Sequence, residues 1–268
     1  MRLKTVVYLW LITFVTLPIP LTVAQTFSVI HTFTGGGDGS DPEAGVAIRG
    51  GVLYGTASGG GNHNFPQGAV YEIMDLGSGW VTTPIYIFNA TENDGAYPRA
   101  RVVFGPDGHP YGTTYTGGTD NHGTVFDLIP PLSICKTANC ACKENVPYSF
   151  TGYPSDGSEP GYGDLIWDQR GNIYNTTTSG GPSDFGTVYQ LKKSGNIWAE
   201  MPIHSFSGPD GEQPQGSVIL DQNGNLFGTT FGGGLYGYGT LFKLTYTPES
   251  GWVETVLYSF SRPILLRT

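Results

Sequence analysis

The chain has 268 residues, with 13 basic side chains against 22 acidic ones. It lacks the basic surface that binding to a nucleic-acid backbone requires, so we exclude nucleic acid as a partner. Its 41 glycines and 19 prolines recur at fixed places beside aromatic and β-branched residues, so they indicate turns rather than disorder.

Residues 1–24 have the order of a secretory signal peptide. A short basic start that contains Arg2 precedes an apolar run over 6–21, and small residues then end at Ala24. An uncleaved membrane anchor is the alternative, which two prolines late in the run disfavour because they interrupt a spanning helix. We therefore expect a protein that is secreted or held at the cell surface, with no membrane span after cleavage.

A block of roughly 55 residues then recurs four times, which indicates a repeat architecture within one domain. Each copy contains an Asp-Gly turn followed by Pro, an aromatic-Gly-Thr step, a pair of glycines and a closing strand such as GTVYQL. The copies run over about 34–88, 89–150, 151–206 and 207–260. Each copy ends at an aromatic anchor, and a fifth anchor precedes the first copy: Phe33, Phe88, Phe150, Phe206 and Phe260.

Within one copy, short runs rich in β-branched and aromatic residues alternate with turns, and no window shows helical spacing. The third copy reads as four strands, over 164–168, 172–178, 186–192 and 197–206. Four-stranded antiparallel units in tandem are the blades of a β-propeller. We therefore predict an all-β propeller; a flat stack of hairpins and a β-helix are the alternatives.

The combined Asp-Gly, Tyr-Gly-Thr-Thr, Gly-Gly and Gly-Thr-Val-Phe series resembles the GloVer choice-of-anchor tandem repeat, a family of exported bacterial proteins. Segments such as SVILDQNGNLFGTT (217–230) also resemble the inner strands of NHL-type propeller blades. The resemblance covers nearly all of 27–260. It implies export and a propeller-like fold, and it brings no catalytic residues with it.

The ring of blades is not expected to close neatly. Residues 27–33 match an outer fourth strand that lacks its first three strands, while the last copy already has its own outer strand. The tail at 261–268 resembles no part of the repeat. We expect a truncated or frame-shifted member of a larger propeller; closure of four blades and pairing of two chains are the alternatives. Open strand edges also predict self-association.

Three cysteines crowd into one insertion of the second copy: Cys135, Cys140 and Cys142. In an exported protein this spacing predicts a local disulfide with one thiol left over. A zinc site is the alternative, but a second Cys or His pair at ligand spacing is missing.

The Asp-Gly turns supply one aspartate in each copy: Asp38, Asp94, Asp156 and Asp210. A ring of carboxylates could bind Ca²⁺. We favour a turn in which the carboxylate accepts backbone N–H groups, because folding needs that turn in every copy whereas a site needs it once.

Loop content varies most on the face that carries the Gly-Gly segments, where propeller ligands commonly bind. The candidate binding residues on this face are His63, Tyr115, Asp120, His122, Asp184, Phe185, Tyr236 and Tyr238. Two of them, His63 and His122, could form a metal or acid–base cluster with Asp120. Solvated loop histidines are the simpler interpretation, so no catalytic residue, metal or cofactor is predicted.

These features favour a non-catalytic binding module for an extracellular carbohydrate or protein, since the exposed aromatics suit stacking and gripping. The alternative is a secreted propeller enzyme, of the lyase, glycosidase or lactonase type. A third interpretation is a truncated copy without function. The first two differ in one observable respect: an enzyme should place at least two carboxylates, or a histidine and a carboxylate, within a few Å of each other in one axial pocket.

Overall fold

The computed structural model describes residues 26–61, 66–89, 93–131, 141–195 and 197–262. The predicted signal peptide, His63, Cys135 and Cys140 lie outside the described residues. The chain divides into two units after Ile30, and all of the sheets belong to the second unit.

Each copy of the repeat forms one antiparallel four-stranded sheet in the described part of the chain. The first sheet comprises β1 (Ala47–Arg49), β2 (Val52–Ala57), β3 (Ala69–Asp75) and β4 (Trp80–Ile87). The second sheet comprises β6 (Val103–Phe104), β7 (Pro110–Thr114), β9 (Thr124–Ile129) and β10 (Lys143–Ser149). A separate two-stranded ribbon in the same copy pairs β5 (Gly95–Ala96) with β8 (Thr116–Gly117).

The second half repeats this order. A ribbon pairs β11 (Gly157–Ser158) with β14 (Ser179–Gly180), and the third sheet comprises β12 (Ile166–Trp167), β13 (Ile173–Thr177), β15 (Thr187–Ser194) and β16 (Ile197–Ser205). The fourth sheet comprises β17 (Ile219–Leu220), β18 (Leu226–Thr229), β19 (Thr240–Thr247) and β20 (Gly251–Ser259). The described residues contain no helix long and apolar enough to span a bilayer.

The aromatic-Gly-Thr step on the second strand of a sheet makes room for an aromatic ring on the third. A Cβ added to Gly112 would lie 2.4 Å from the ring of Phe126, so any side chain there would displace the core. In the third sheet the equivalent residue is Asn175, which is fully buried and whose amide donates to the Gly163 carbonyl at 2.7 Å. The third sheet therefore accommodates a larger residue at this step, with the amide nitrogen hydrogen-bonded and the amide oxygen buried without a partner among the described residues.

Three hydrophobic clusters form the core, and each joins two consecutive sheets. The anchor phenylalanine of one sheet packs edge-on against a third-strand ring of the next sheet. These ring centroids are 5.4 Å apart for Phe88–Phe126, 5.0 Å for Phe150–Tyr189 and 5.2 Å for Phe206–Phe242. Consecutive sheets thus stack face to face in the manner of propeller blades.

The N-terminal anchor continues this pattern without a sheet behind it. The ring of Phe33 lies 4.9 Å from that of Tyr71 on β3, as the other anchors lie against their following sheets. The outer strand predicted over 27–33 is not formed, because none of the described strands pairs with these residues. The segment keeps the anchor contact but not the strand.

The fourth sheet leaves exposed the face that a following sheet covers elsewhere. Phe260 is 42% exposed, whereas the equivalent Phe206 is 1% exposed. Leu257 on the same face is 48% exposed, whereas the equivalent Ile203 is 9% exposed. We call this surface the open face. It carries the side chains of a blade interface, but no described sheet covers it.

Candidate functional site

Four short segments, each just before the first strand of a sheet, converge on one cleft of about 650 Å³. We call them the inner segments; they comprise residues 43–45, 99–101, 162–164 and 216–217. Their functional side chains are Glu43, Arg99, Arg101, Tyr162, Asp164 and Ser217. The cleft therefore combines carboxylates, guanidinium groups, a phenol and a hydroxyl drawn from all four copies.

Threonines of the repeated aromatic-Gly-Thr step hold the inner segments in place. The hydroxyl of Thr56 donates to the Ala100 carbonyl at 2.9 Å, and that of Thr176 donates to the Gly216 carbonyl at 3.1 Å. Each bond runs from one sheet to the inner segment of the next. The stacking of the sheets thus determines the shape of the cleft.

Asp164 is the most firmly held carboxylate in the cleft. Its Oδ2 accepts from Nη2 of Arg101 at 2.6 Å and from Nε at 3.0 Å, while its Oδ1 accepts from the Arg101 backbone N–H at 3.1 Å. The Asp164 backbone N–H in turn donates to Oγ of Ser217 at 2.6 Å. Charge-assisted bonds of this kind fix the orientation of the carboxylate.

Glu43 is held more loosely, beside an arginine and two aromatic rings. Its Oε2 lies 3.6 Å from Nε of Arg99, and its Oε1 accepts from the Ser58 hydroxyl at 3.2 Å. The Arg99 guanidinium lies 4.1 Å from the ring centroid of Tyr115 and donates to the Tyr162 hydroxyl. This arginine therefore connects the Glu43 carboxylate to the side chains of Tyr115 and Tyr162.

Tyr115 is the one sequence-predicted candidate that the structure places in contact with a residue of the cleft. Its ring packs between the sheets against Arg99, and its centroid lies 5.8 Å from that of Tyr162. Burial, followed by a hydrogen bond to Glu159, raises the pKa of Tyr115 to about 12. The phenol is therefore neutral at physiological pH, so Tyr115 contributes an aromatic surface beside the cleft and does not act as a base.

Two other candidates hold loops together. The Nδ1 of His122 lies 2.9 Å from the Ser158 hydroxyl, and its ring lies against the backbone at Gly152. The carboxylate of Asp184 accepts the Gly180 N–H at 2.7 Å. The structure does not bring His122 and Asp184 together into one site.

The remaining candidates lie apart from the cleft. Phe185 is half-buried, and its ring packs against the core cluster between the third and fourth sheets, so its role in ligand binding stays a prediction. Tyr236 and Tyr238 are 56% and 51% exposed. Tyr238 lines a second cleft of about 710 Å³ beside the open face. Asp120 is exposed, and His63 lies outside the described residues.

The four repeated aspartates close turns, as the turn interpretation predicts. Each carboxylate accepts a backbone N–H from a residue three to five positions earlier. The distances are 3.0 Å for Thr34 to Asp38, 2.6 Å for Asn89 to Asp94, 2.7 Å for Thr151 to Asp156 and 2.9 Å for Ser207 to Asp210. These bonds fix the chain where it leaves one sheet for the next.

A separate group of side chains has metal-ligand chemistry. Asp107, His109 and Asp127 each place a ligand atom within 4.8 Å of the others. His109 Nδ1 lies 3.0 Å from Asp127, and Tyr111 donates its hydroxyl to Asp107 at 2.7 Å. Asp168 at the corresponding turn of the third sheet likewise accepts from the hydroxyl of Tyr174, at 3.1 Å, so the group around Asp107 closes a turn.

Of the three cysteines, Cys142 is described and carries a free thiol. Burial, followed by the nearby Glu72, raises its pKa to about 11. The thiol is therefore protonated and unreactive at neutral pH.

The sequence analysis missed Glu43, Arg99, Arg101, Tyr162 and Asp164. One signal for them was present: they occupy positions just after the repeated Pro where the copies differ from one another in charge and size. Small or neutral residues stand at the corresponding positions of the fourth copy, Gln215 and Ser217. Charges at the variable positions of an otherwise regular repeat mark a shared site.

Comparison with solved structures finds likenesses of low identity. A GH43 protein from Bacillus licheniformis matches at 15% identity and a TM-score of 0.43, over 79% of this chain and 42% of that one. A xylan β-1,4-xylosidase from Bacillus halodurans matches at 16% identity and a TM-score of 0.42, over 81% and 44%. An α-L-arabinofuranosidase from Podospora anserina matches at 13% identity and a TM-score of 0.42, over 80% and 66%.

The prediction of a non-catalytic binding module does not agree with these comparisons, in which the names of the matched proteins describe glycosidases, as the alternative of a propeller enzyme expects. The chain spans less than half the length of the two Bacillus proteins. At these TM-scores the likeness does not carry an argument about this chain's own reaction, which has to come from the cleft. A search of curated proteins finds no match.

The repeat itself has a clear relationship. The profile of the Gloeobacter/Verrucomicrobia repeat matches twice, over residues 19–144 and 136–264. Together the two matches take in all four sheets. The chain therefore belongs to the Gloeobacter/Verrucomicrobia repeat family, as the GloVer resemblance predicted.

Proposed function

We propose that this chain is an exported carbohydrate-active enzyme of the glycosidase type, with its active site in the cleft between the inner segments. One observation carries the proposal: Glu43 and Asp164, from the inner segments before the first and third sheets, line the same cleft of about 650 Å³. Glycoside hydrolysis uses a pair of carboxyl groups that flank the scissile bond.

The two carboxyl groups suit different roles. Asp164 is held by Arg101 and serves as the anionic partner, which attacks the sugar or stabilises its developing positive charge. Glu43 is held more loosely, through Ser58 and Arg99, and serves as the acid that protonates the leaving oxygen. Tyr162, which is 40% exposed, offers a ring face on which a sugar can stack.

The architecture behind this site is a propeller-like ring that remains open. In this proposal the four sheets are four blades, stacked in chain order around the inner segments. Three interfacial clusters and the convergence of the inner segments support it. The open face supports incomplete closure. Export follows from the N-terminal segment, and recovery of the processed protein from the medium of an expressing cell would test it.

The proposal is tested with xylan, arabinoxylan and aryl xylosides and arabinofuranosides, substrates chosen from the names of the structural neighbours. We expect reducing-sugar or phenol release that falls at least about 100-fold in Asp164→Asn and in Glu43→Gln. Asp120→Asn, an exposed loop change, should retain the activity. The proposal fails if the folded wild-type protein releases no product, or if both cleft variants remain as active as the wild type.

A further inference from the structure

Three carboxyl pairs lie between consecutive sheets, and none of their residues lines the cleft. Each pair combines the aspartate of an Asp-Gly turn with a glutamate on the outer strand of the following sheet, and the three glutamates occupy the same register position, opposite a leucine of the third strand. The pairs are Asp94 with Glu144, Asp156 with Glu200, and Asp210 with Glu254. Because the pairing recurs at three interfaces, we attribute it to the way in which consecutive sheets pack together.

The first pair shares a single phenolic proton. Oη of Tyr86, on the outer strand of the first sheet, lies 3.1 Å from Oδ1 of Asp94 and 3.2 Å from Oε2 of Glu144. One hydroxyl can donate to only one of these oxygens. Both carboxyl oxygens therefore lie within hydrogen-bond reach of one hydroxyl, so the two carboxyl groups repel each other when both are ionised. The other glutamate oxygen, Oε1, is buried and has no partner among the described residues.

The second pair has the same plan. The hydroxyl of Tyr148, on the outer strand of the second sheet, donates to Oδ2 of Asp156 at 3.0 Å. Glu200 on β16 faces this group, and the fully buried Tyr189 also lies close to it. Oε1 of Glu200 is buried and has no partner among the described residues.

In the third pair a histidine replaces the tyrosine. Nε2 of His204 lies 3.0 Å from Oδ2 of Asp210, and Glu254 on β20 faces Asp210. Oε1 of Glu254 is again buried and unpartnered in the described structure. Desolvation lowers the pKa of His204 despite the opposing effect of Asp210, so the imidazole is neutral at pH 7.

We propose that each glutamate in these pairs is protonated in the folded protein, and that the three shared protons make the stacking of the sheets sensitive to pH. A protonated glutamate can donate to its aspartate neighbour, whereas two ionised carboxylates this close repel each other. The sheets are therefore held most firmly in acid and less firmly in alkali.

The pKa shifts agree with this geometry. Burial, and then the charge of Asp94, raises the pKa of Glu144 well above its usual range. Burial followed by Asp156 raises the pKa of Glu200 to about 8, and burial followed by Asp210 raises that of Glu254 to about 7. The shift is smallest beside the open face, where the outer strand is least covered.

The sign of the effect on stability follows from proton binding. Above the ordinary pKa of 4.5 the unfolded chain has released these protons, whereas the folded chain retains them. Stability therefore falls as the pH rises from about 4.5 and levels off above the folded pKa values. His204, whose pKa is lowered, acts in the opposite direction but only below pH 6.5, its ordinary value.

The first sheet provides a natural contrast. Thr82 occupies the position on β4 that the glutamates occupy on the other outer strands. At the corresponding turn, burial acts to raise the pKa of Asp38, but hydrogen bonds from Thr34 and His31 outweigh it and the pKa is lowered. Without a second carboxyl group, the turn aspartate is simply ionised.

The test compares the thermal unfolding midpoint at pH 6.5 and at pH 9, a window in which His204 contributes only a small effect of the opposite sign, from the last part of its titration in the unfolded chain. We expect the wild-type midpoint to fall by at least about 4 °C across this window. The triple variant Glu144→Gln, Glu200→Gln, Glu254→Gln should lose most of that fall, because the amide keeps the donor without ionising. The exposed Glu249→Gln serves as the matched control and should behave as the wild type.

Infrared spectroscopy of the wild-type protein provides a measurement that needs no variant. At pH 7 we expect the carbonyl absorption of protonated carboxylic acids, which should disappear as the pH is raised to 10. A wild-type spectrum with ionised carboxylates alone at pH 7 would overturn the proposal. So would a triple variant whose midpoint falls as steeply as that of the wild type.

Discussion

The covered interfaces between sheets and the open face of the fourth sheet are built from equivalent residues in different surroundings. Phe206 is 1% exposed because the fourth sheet lies over it, whereas Phe260 is 42% exposed at the same position of the repeat. The repeated residues can therefore form an interface, but they are buried as a core only where a following sheet covers them. In such a structure each interface contributes its own share to stability, and a terminal face contributes least.

The largest expected effect comes from truncating an anchor in each environment. Phe150→Ala should lower the free energy of unfolding by about 3–5 kcal/mol, because the ring is fully buried between the second and third sheets. Phe260→Ala should cost about 1 kcal/mol, because much of that ring is already in water. Urea unfolding of both variants measures the difference. Equal losses would show that the open face is covered in solution.

The carboxyl pairs give a second comparison between the interior and the last sheet. Glu200, with a pKa of about 8, should still lose its proton between pH 7.5 and 9, whereas Glu254, with a pKa of about 7, is already ionised there. Glu200→Gln should therefore reduce the fall of the unfolding midpoint across this window, and Glu254→Gln should leave it nearly unchanged. A reversed order would mean that the fourth sheet is the better covered of the two.

Much of the fold could be predicted from the sequence because its signals are local. The turn glycines, the aromatic-Gly-Thr step and the closing strand recur in one order, and each copy folds into a four-stranded sheet. The strand predicted over 27–33 failed because a strand needs a partner, and the pattern of its own residues cannot supply one. Phe33 shows how far the local signal reaches: it specifies the anchor contact with Tyr71.

The candidate site could be predicted less well, since its contacts join distant copies. Arg101 and Asp164 are 63 residues apart, and no local pattern couples them. The sequence predicts His122 as a titratable loop residue, but its ring contacts Ser158 on β11, 36 residues away. Glu200 has the spacing of an ordinary strand residue, and burial beside Asp156 becomes visible only when the sheets are stacked.

A direct test of the open face comes from making that face polar. Leu257→Ser together with Phe260→Ser should lower the unfolding midpoint by only a few degrees, because both side chains are more than 40% exposed. If the open face associates with other molecules of this chain, the same double variant should sediment as a smaller species than the wild type at equal concentration. Ile197→Ser, which removes a 73% exposed side chain from the start of β16, is the matched control and should sediment as the wild type does. A wild-type protein that stays monomeric at high concentration would show instead that the open face does not associate with a second copy and remains exposed to water.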